Sequence, residues 1–259
     1  MSKDSTGINI GTDGKKPSDV NVKTHTVGGP GKKRKQPLER PSVAVDLVVL
    51  TVIDADLKVL LHKRTHQPFK GVWSLPGGFV RVHNRGHQGE GLEEAARREL
   101  TAATGLASQA CTLEQLCAFG KAGRDPRMRV ISVGWIALVP SDRAPMVQST
   151  NDEPTQWFST HEEVPWMRLS FDHAEILDAA IQRIREKIDH NSVAFSLVPD
   201  SFTVGELRDA HEAIQTKTYD ARNFRRKFQR LIDDGTVVEA PGKRHRGKAR
   251  PAKVWKRQR

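Results

Sequence analysis

Three arginines near the end of the chain recur at a spacing of four residues: Arg222, Arg226 and Arg230. At about 100° per residue they fall on one side of a helix, opposite the apolar Phe224 and Phe228. Like charges at this spacing destabilise an isolated helix by roughly 0.3 kcal/mol per pair, a cost that an anionic surface would remove. Guanidinium groups bind phosphate and make paired hydrogen bonds to guanine. The pattern predicts a recognition helix for duplex DNA. An RNA-binding surface and a merely solvated face are the alternatives.

A basic loop follows this helix. Short apolar segments on either side of it, Val237-Val238 and Lys253–Trp255, predict a hairpin. Helix, turn, helix and hairpin is the order of a winged helix-turn-helix, and a basic hairpin tip would reach neighbouring phosphates or a minor groove. Ten residues of the helix and the loop are therefore predicted to contact DNA: Arg222, Asn223, Arg225, Arg226, Gln229, Arg230, Lys243, Arg244, Arg246 and Lys248.

A second segment that could do chemistry lies in the middle of the chain. Leu75-Pro76-Gly77-Gly78 is followed by eleven residues and then by an amphipathic stretch from Glu90 to Leu106. This arrangement resembles the Nudix box, and the matching positions are Gly78, Glu90, Arg98, Glu99, Leu100, Gly105 and Leu106. The chain departs from the box in two ways. Six residues are inserted between Gly78 and Glu90, and Ala102 and Ala103 replace a Glu-Glu pair.

The two alanines bear directly on catalysis. Positions 99, 102 and 103 share one face of a helix, and three carboxylates there can hold Mg²⁺ against a diphosphate while water attacks. With Glu99 alone, Mg²⁺ should bind weakly through the protein, so we expect no required cofactor and no efficient hydrolysis. Residual activity stays open, because substrate phosphates can bring metal. The pocket itself can persist, and nine residues are predicted to bind a ligand there: Arg64, Phe69, Trp73, Gly77, Gly78, Glu90, Arg98, Glu99 and His173.

Charge is distributed unevenly along the 259 residues, whose net charge is +11. Residues 1–40 carry +5, residues 41–200 carry −3 and residues 201–259 carry +9. A strongly basic end favours nucleic acid as a partner.

No stretch approaches the roughly 18 apolar residues of a membrane span. The two cysteines, Cys111 and Cys117, cannot form a disulfide framework, and Met1–Ile10 has no apolar signal region, so we expect a cytoplasmic protein with reduced thiols.

The elements that must position these residues follow from the hydrophobic pattern. The pattern predicts a hairpin over residues 43–64, a helix over 90–104 that ends at Gly105, a strand over 129–139 and a short strand over 156–158. A further helix is predicted to begin at a capping box formed by Asp172 and Glu175. The expected class is α+β, a Nudix-like α/β/α sandwich with a mixed sheet, followed by a winged helix-turn-helix. The predicted division is a disordered basic tail at 1–40, a ligand-sensing domain at 41–188, a linker at 189–201 and a DNA-binding domain at 202–259.

A degenerate Nudix domain joined to a basic winged helix resembles the NrtR family, the Nudix-related transcriptional regulators of NAD metabolism. The likeness covers about residues 41–259 and rests on four segments: 67–80, 171–177, 202–208 and 222–227. It implies a homodimeric repressor of NAD synthesis or salvage genes. Its effector would be ADP-ribose or a related NAD metabolite, which releases a palindromic operator. An ADP-ribose pyrophosphatase with an accessory nucleic-acid-binding domain is the alternative.

Overall fold

The central sheet is built around the Val- and Leu-rich strand β1 (Ser42–Ile53), which forms the predicted hairpin with β2 (Asp56–Lys63). β1 also runs parallel to β6 (Val130–Leu138), and β6 pairs antiparallel with β5 (Thr112–Phe119). Three short strands complete this seven-stranded mixed sheet: β3 (Trp73–Ser74), β4 (Gly77–Phe79) and β7 (Thr155–Ser159). The computed structural model describes residues 40–82, 89–150, 153–164, 168–188, 192–244 and 251–258.

Two helices cover the two faces of the sheet. Successive strand residues point to opposite faces, so Val45 and Leu47 of β1 lie in different cores from Val48 and Leu50. The first pair packs with the buried alanines and leucine of α1 (Leu92–Thr104), and the second with the isoleucines of α2 (His173–Lys187). The predicted α/β/α sandwich with a mixed sheet is confirmed.

The second half of the predicted architecture, the winged helix, is also confirmed. It consists of α4 (Val204–Gln215), α5 (Ala221–Asp233) and a three-stranded sheet in the order β8 (Ser201–Phe202), β10 (Ala252–Arg257) and β9 (Val237–Arg244). Thr203 and Glu206 form a capping box at the start of α4. Asp220 caps α5, as predicted, by accepting a hydrogen bond from the Asn223 backbone N–H at 2.8 Å.

One apolar core runs from the sheet into the winged helix. Ile184 and Ile188 at the end of α2 belong to the same buried cluster as Ile214 of α4 and Phe224 of α5. Residues 40–259 accordingly form one compact unit. None of the helices in the described part of the chain has both the length and the apolar composition needed to span a bilayer.

Three local features differ from what the sequence predicts, and one further prediction falls outside the described residues. The segment predicted as a linker, 189–201, contains the helix α3 (Ser192–Leu197), whose Val193 and Leu197 are buried in the shared core. Asp172 precedes α2 but makes no capping bond with its side chain, which an arginine engages instead. Strand β5 was not predicted, because its edge position leaves most of its side chains exposed or half-buried and its pattern polar. The predicted disordered tail lies outside the described residues except for Arg40.

Candidate ligand pocket and nucleic-acid interface

A cavity of about 190 Å³ opens where β1, β2 and β4 meet the start of α2. Asp46 of β1, Arg124 in the loop before β6 and His173 of α2 line it, together with the backbone of Gly77 and Gly78 on β4. Gly77 lies against backbone and leaves no room for a side chain, whereas Gly78 lies against the end of the flexible Glu99 side chain. A β carbon would lie 2.3 Å from the Val45 carbonyl oxygen at position 77 and 2.2 Å from Glu99 Oε1 at position 78.

Buried charges meet in this cavity around Arg124. Its guanidinium donates to Asp172 at 2.6 and 2.8 Å and to Asp46 Oδ2 at 3.0 Å, and the Ser132 hydroxyl donates to the same Asp46 oxygen at 2.5 Å. Burial lowers the pKa of Arg124, but its two carboxylate partners outweigh that effect and leave the pKa raised. Arg124 therefore stays charged and ties the residue before α2 to strand β1.

His173 is neutral and fixed in one tautomer. The Leu75 backbone N–H donates to its Nδ1 at 2.9 Å, and the Ser74 hydroxyl lies 3.1 Å from the same nitrogen. A ring nitrogen that accepts an N–H carries no hydrogen of its own, so the proton sits on Nε2, which lies 3.5 Å from Asp46 Oδ1. Complete burial lowers the pKa of His173 below its ordinary value, which keeps the ring uncharged near neutral pH.

An aromatic ring with two cations stands at the mouth of the cavity. The guanidinium carbons of Arg64 and Arg127 lie 5.0 and 5.9 Å from the centre of the Phe171 ring, and Phe69 packs edge-on against that ring at 4.8 Å. Phe171 has a φ of 51°, an uncommon value for a residue with a side chain. Guanidinium groups beside an aromatic face suit an anionic ligand that also carries a ring.

The residues of the box form a separate network beside Gly78. Arg98 donates to the two Glu90 carboxylate oxygens at 2.6 and 3.0 Å, to the Phe79 carbonyl at 3.1 Å and also to Glu99. The hydrogen bond from Arg98 holds the pKa of Glu90 below its usual value. The two remaining glutamates of the box are therefore neutralised by an arginine between them.

These residues do not fit a magnesium site. The Glu99 carboxylate is engaged by Arg98, Ala102 offers only a methyl group, and Ala103 is buried in the core under α1. Within the described ranges, no three His, Cys, Asp or Glu side chains are grouped so that they could hold a metal ion. A hard divalent cation needs several oxygen ligands, and this helix face does not supply them.

The structure brings together most of the residues predicted to bind a ligand. Those that line the cavity are Arg64, Gly77, Gly78 and His173. Glu90, Arg98 and Glu99 lie next to the cavity, and Phe69 contacts the cavity-lining residue Phe171. Trp73 is placed differently. It packs edge-on against Phe158 at 4.7 Å, outside the cavity lining, so its contacts are those of a core residue.

Sequence reasoning missed several cavity residues, among them Asp46, Arg124, Arg127 and His62. His62 Nδ1 lies 2.5 Å from a Glu153 oxygen, and burial lowers the pKa of His62. Its Nε2 is buried and has no hydrogen-bond partner among the described residues. These side chains come from distant parts of the chain and form no local motif.

Helix α5 presents the predicted basic face to solvent. Arg222, Arg225, Arg226 and Arg230 are exposed, while its Phe and Leu side chains are buried. Two predicted contact residues, Asn223 and Gln229, are also exposed but already bonded within the helix. Arg226 donates to the Asn223 side chain, and the Gln229 amide donates to Asp233 at 2.8 Å.

Two residues of the wing that were predicted to contact DNA, Lys243 and Arg244, lie within the described part of the chain. Lys243 is exposed near the end of β9. Arg244 is half-buried, and its guanidinium donates to both Glu206 carboxylate oxygens at 2.7 and 2.9 Å and to the Ser201 carbonyl at 2.8 Å. Arg244 therefore fastens the wing to the start of α4, although the sequence predicted a DNA contact. Arg246 and Lys248 lie outside the described residues.

The fold agrees with matches to known families. The NUDIX domain matches residues 43–180, and the NrtR DNA-binding winged helix domain matches residues 194–256. The protein is thus a Nudix-type domain joined to a DNA-binding winged helix. It is 33% identical over 223 residues, 86% of this chain and 84% of the relative, to the ADPR responsive transcriptional repressor NtrR of Acinetobacter baylyi. The chain belongs to the NrtR family of Nudix-related transcriptional regulators.

Similar structures and one enzyme complete the comparison. The crystal structure of Shewanella oneidensis NrtR complexed with a 27mer DNA aligns with a TM-score of 0.68 and 29% identity, covering 83% of this chain and 93% of that one. A MutT/nudix family protein from Enterococcus faecalis gives 0.67 and 28%, covering 86% and 90%. An ADP-ribose pyrophosphatase of Methanocaldococcus jannaschii is 37% identical over 137 residues, which are 53% of this chain and 71% of the enzyme.

Proposed function

We propose that this protein is a transcriptional repressor of NAD synthesis or salvage genes. It binds operator DNA through α5 and the β9–β10 hairpin, and it releases the operator when ADP-ribose or a related NAD metabolite enters the cavity at Asp46. The observation that carries the proposal is that α5 exposes a face of arginines. Its winged helix shares one apolar core with the domain that holds the arginine-lined cavity.

Three features of the cavity support a nucleoside diphosphate as the effector. Arg64 and Arg127 supply positive charge at its mouth, and the aromatic ring of Phe171 lies between them. The backbone of Gly77 and Gly78 carries no side chain that would keep a diphosphate away. In this assignment Glu90, Arg98 and Glu99 hold β4 and the residues just after it in place beside the ligand. The similar repressor from Acinetobacter is described as ADPR responsive.

Homodimerisation is part of the proposal. A symmetric dimer would place two α5 helices on the half-sites of a palindromic operator, about one helical turn of DNA apart. Arg222, Arg226 and Arg230, with Arg225 and Lys243 beside them, would contact phosphates and base edges. Arg246 and Lys248 of the hairpin tip are proposed to extend this surface.

The same reasoning assigns no efficient hydrolysis to the Nudix-type domain, because Ala102 and Ala103 leave Mg²⁺ without the ligands it needs. The competing candidate, an ADP-ribose pyrophosphatase, is favoured by the identity to the Methanocaldococcus enzyme and by the retained Glu99. It predicts Mg²⁺-dependent release of AMP that Glu99→Gln abolishes. AMP at blank level at high protein concentration would eliminate it.

The decisive experiment is fluorescence anisotropy with a duplex from the upstream region of the gene itself, at one fixed near-physiological salt concentration. Salt is fixed because phosphate contacts make the affinity strongly salt-dependent. Tight binding that ADP-ribose reverses is the expected result. Tight binding that ADP-ribose leaves unchanged would retain the DNA-binding assignment and redirect the search to other NAD metabolites. Affinity equal to that for random duplex, or a preference for matched RNA in competition, would overturn the proposal.

A further inference from the structure

Helix α2 connects the cavity to the DNA-binding half of the protein. Its first residue, His173, lines the cavity, and Asp172 just before it is held by Arg124. The helix is 15 residues long, which is about 22 Å at 1.5 Å per residue. Its far end lies beside the end of α4, which precedes the recognition helix α5. One rigid element therefore touches both sites.

Arg185 makes three hydrogen bonds between the end of α2 and the end of α4. Its Nε donates to the Ile214 carbonyl at 2.9 Å and its Nη2 to the Thr216 hydroxyl at 3.1 Å. In return, the Gln215 amide donates to the Arg185 carbonyl at 3.2 Å. The last four carbonyls of a helix lack partners within it, so Arg185 supplies from α2 a cap that α4 requires. His161, in the loop after β7, lies 3.1 Å from the neighbouring Ala213 carbonyl.

These bonds act at a point that controls the orientation of α5. Thr216 ends α4 with a left-handed φ of 53°, and four residues later Asp220 caps α5. The turn between the helices is short, and Tyr219 within it is tied back to Glu212 of α4 at 2.8 Å. A small rotation of the end of α4 is therefore passed to α5 rather than absorbed in the turn.

The cavity end of α2 is equally suited to respond to a ligand. Arg124 is shared between Asp46 and Asp172, and a diphosphate that entered the cavity would compete with these carboxylates for its donors. Weakening the Arg124–Asp172 pair loosens the start of α2 from β1. A ligand shifts an equilibrium only through such a difference in contacts between two states.

We propose that Arg185 is the positioning residue that couples ligand binding in the cavity to operator release, by carrying a displacement of α2 into the end of α4. This rests on the proposed function and specifies its regulation. Ile181, Ile184 and Ile214 belong to one buried apolar cluster that joins the two helices independently of Arg185. Loss of the guanidinium should therefore uncouple the sites without unfolding either of them.

The test compares the full chain with Arg185→Ala and with Arg183→Ala as the matched control. Arg183 is on the same helix, but its partner is Glu114 at 3.7 Å, away from α4. For each protein three quantities are measured: ADP-ribose affinity by calorimetry, operator affinity by anisotropy, and operator affinity with saturating ADP-ribose. The ratio of the last two is the coupling, which we expect to be at least about tenfold in the unaltered chain and in Arg183→Ala.

Arg185→Ala is expected to reduce this ratio to within about twofold while each separate affinity stays within about threefold of the unaltered chain. Arg185→Lys should give an intermediate ratio, because an ammonium group can reach one acceptor but lacks the fork that reaches both. Should Arg185→Ala fail to fold, Gln215→Ala removes one bond of the same contact from the α4 side and is expected to lower the ratio by about twofold to threefold.

The outcomes separate this inference from the proposed function. If Arg185→Ala keeps the ratio of operator affinities that the unaltered chain shows, the coupling role is overturned and the repressor assignment stays intact. The same holds for Gln215→Ala where that variant replaces Arg185→Ala. Loss of operator affinity in Arg185→Ala without ADP-ribose means a purely structural role and overturns it as well. If the operator affinity of the unaltered chain responds neither to ADP-ribose nor to other NAD metabolites, the proposed sensing function is overturned and this inference with it.

Discussion

Arginine serves opposite purposes in the cavity and on helix α5. Arg124 exposes 4% of its side chain and is shared between two carboxylates. Arg222, Arg226 and Arg230 on α5 are exposed, and their neighbours on the helix are again positive. The cavity thus uses a guanidinium to neutralise buried acids, whereas α5 accumulates charge that its own fold does not need.

The difference has an energetic consequence. Removing one partner of a buried ion pair leaves an uncompensated charge in a poorly solvated place, which destabilises the fold. Removing an exposed cation costs the fold little, and on α5 it relieves repulsion between like charges. Stability should therefore depend on the cavity arginine, and affinity for a polyanion on the helix arginines.

The largest expected effect comes from Arg124→Ala. Asp46 and Asp172 would lose their shared counterion, and we expect the free energy of unfolding to fall by about 3–5 kcal/mol. Urea unfolding followed by circular dichroism measures this. Arg183→Ala is the control, since its side chain is 38% exposed and its partner Glu114, at 3.7 Å, is 39% exposed. Its cost should stay within about 1 kcal/mol. Equal costs for the two variants would erase the distinction between buried and exposed arginine.

The next effect is on DNA. Replacing Arg222, Arg226 and Arg230 together by alanine should weaken operator binding by about a hundredfold or more and reduce the salt slope by about three. The free energy of unfolding should change by less than about 0.5 kcal/mol. A charge-matched control removes three cations elsewhere on the surface, Arg97, Lys121 and Arg183, whose side chains are 37%, 72% and 38% exposed. If that control weakens binding as much, net charge and not the face of α5 accounts for the affinity.

The same contrast explains what the sequence could predict. The basic face of α5 follows from helical periodicity alone, because residues four apart share a side whatever the rest of the fold does. The caps at Asp220 and Gly105, the β1–β2 hairpin and the order of elements in the winged helix are local signals of the same kind. All of these agree with the structure.

Two of the cavity arginines, Arg124 and Arg127, could not be found in this way. Arg124 bonds to Asp46 and Asp172, which are 78 and 48 positions away in the chain. Such a cluster exists only after β1, the loop before β6 and α2 have packed together. The partners of Trp73 and Arg244, which are Phe158 and Glu206, could not be predicted for the same reason: an aromatic or a cation can be recognised in a sequence, but its partner cannot.

The buried histidines of the cavity predict a smaller, pH-dependent effect. Burial lowers the pKa of both His62 and His173 below the ordinary 6.5. Below that pH the unfolded chain takes up protons that the folded chain does not. The free energy of unfolding should therefore fall as pH falls from about 7, by at most about 1.4 kcal/mol per pH unit for each histidine. Urea titrations between pH 8 and pH 5.5 measure the slope.

Two variants test the origin of that slope. His62→Gln/His173→Gln should flatten it, even where the variant is less stable throughout, because neither glutamine titrates. His66→Gln, which removes an exposed histidine outside the cavity lining, is the matched control. A slope that persists in the double variant would assign the acid sensitivity to the carboxylates and not to these rings.

The smallest effect separates two neighbouring arginines on α1. Arg97 pairs with Glu93, four residues earlier, and the two side chains are 37% and 60% exposed. Arg97→Ala should change the free energy of unfolding by only about 0.3 kcal/mol, since water screens such a pair. Arg98 lies one residue on but holds Glu90 and Glu99, which are 15% and 13% exposed, so Arg98→Ala should cost about 1–3 kcal/mol. Both residues are arginines on α1, so urea unfolding under identical conditions compares the costs of the two substitutions directly. Equal costs would show that burial does not determine what an arginine contributes here, and the contrast between cavity and recognition helix would fail at its simplest test.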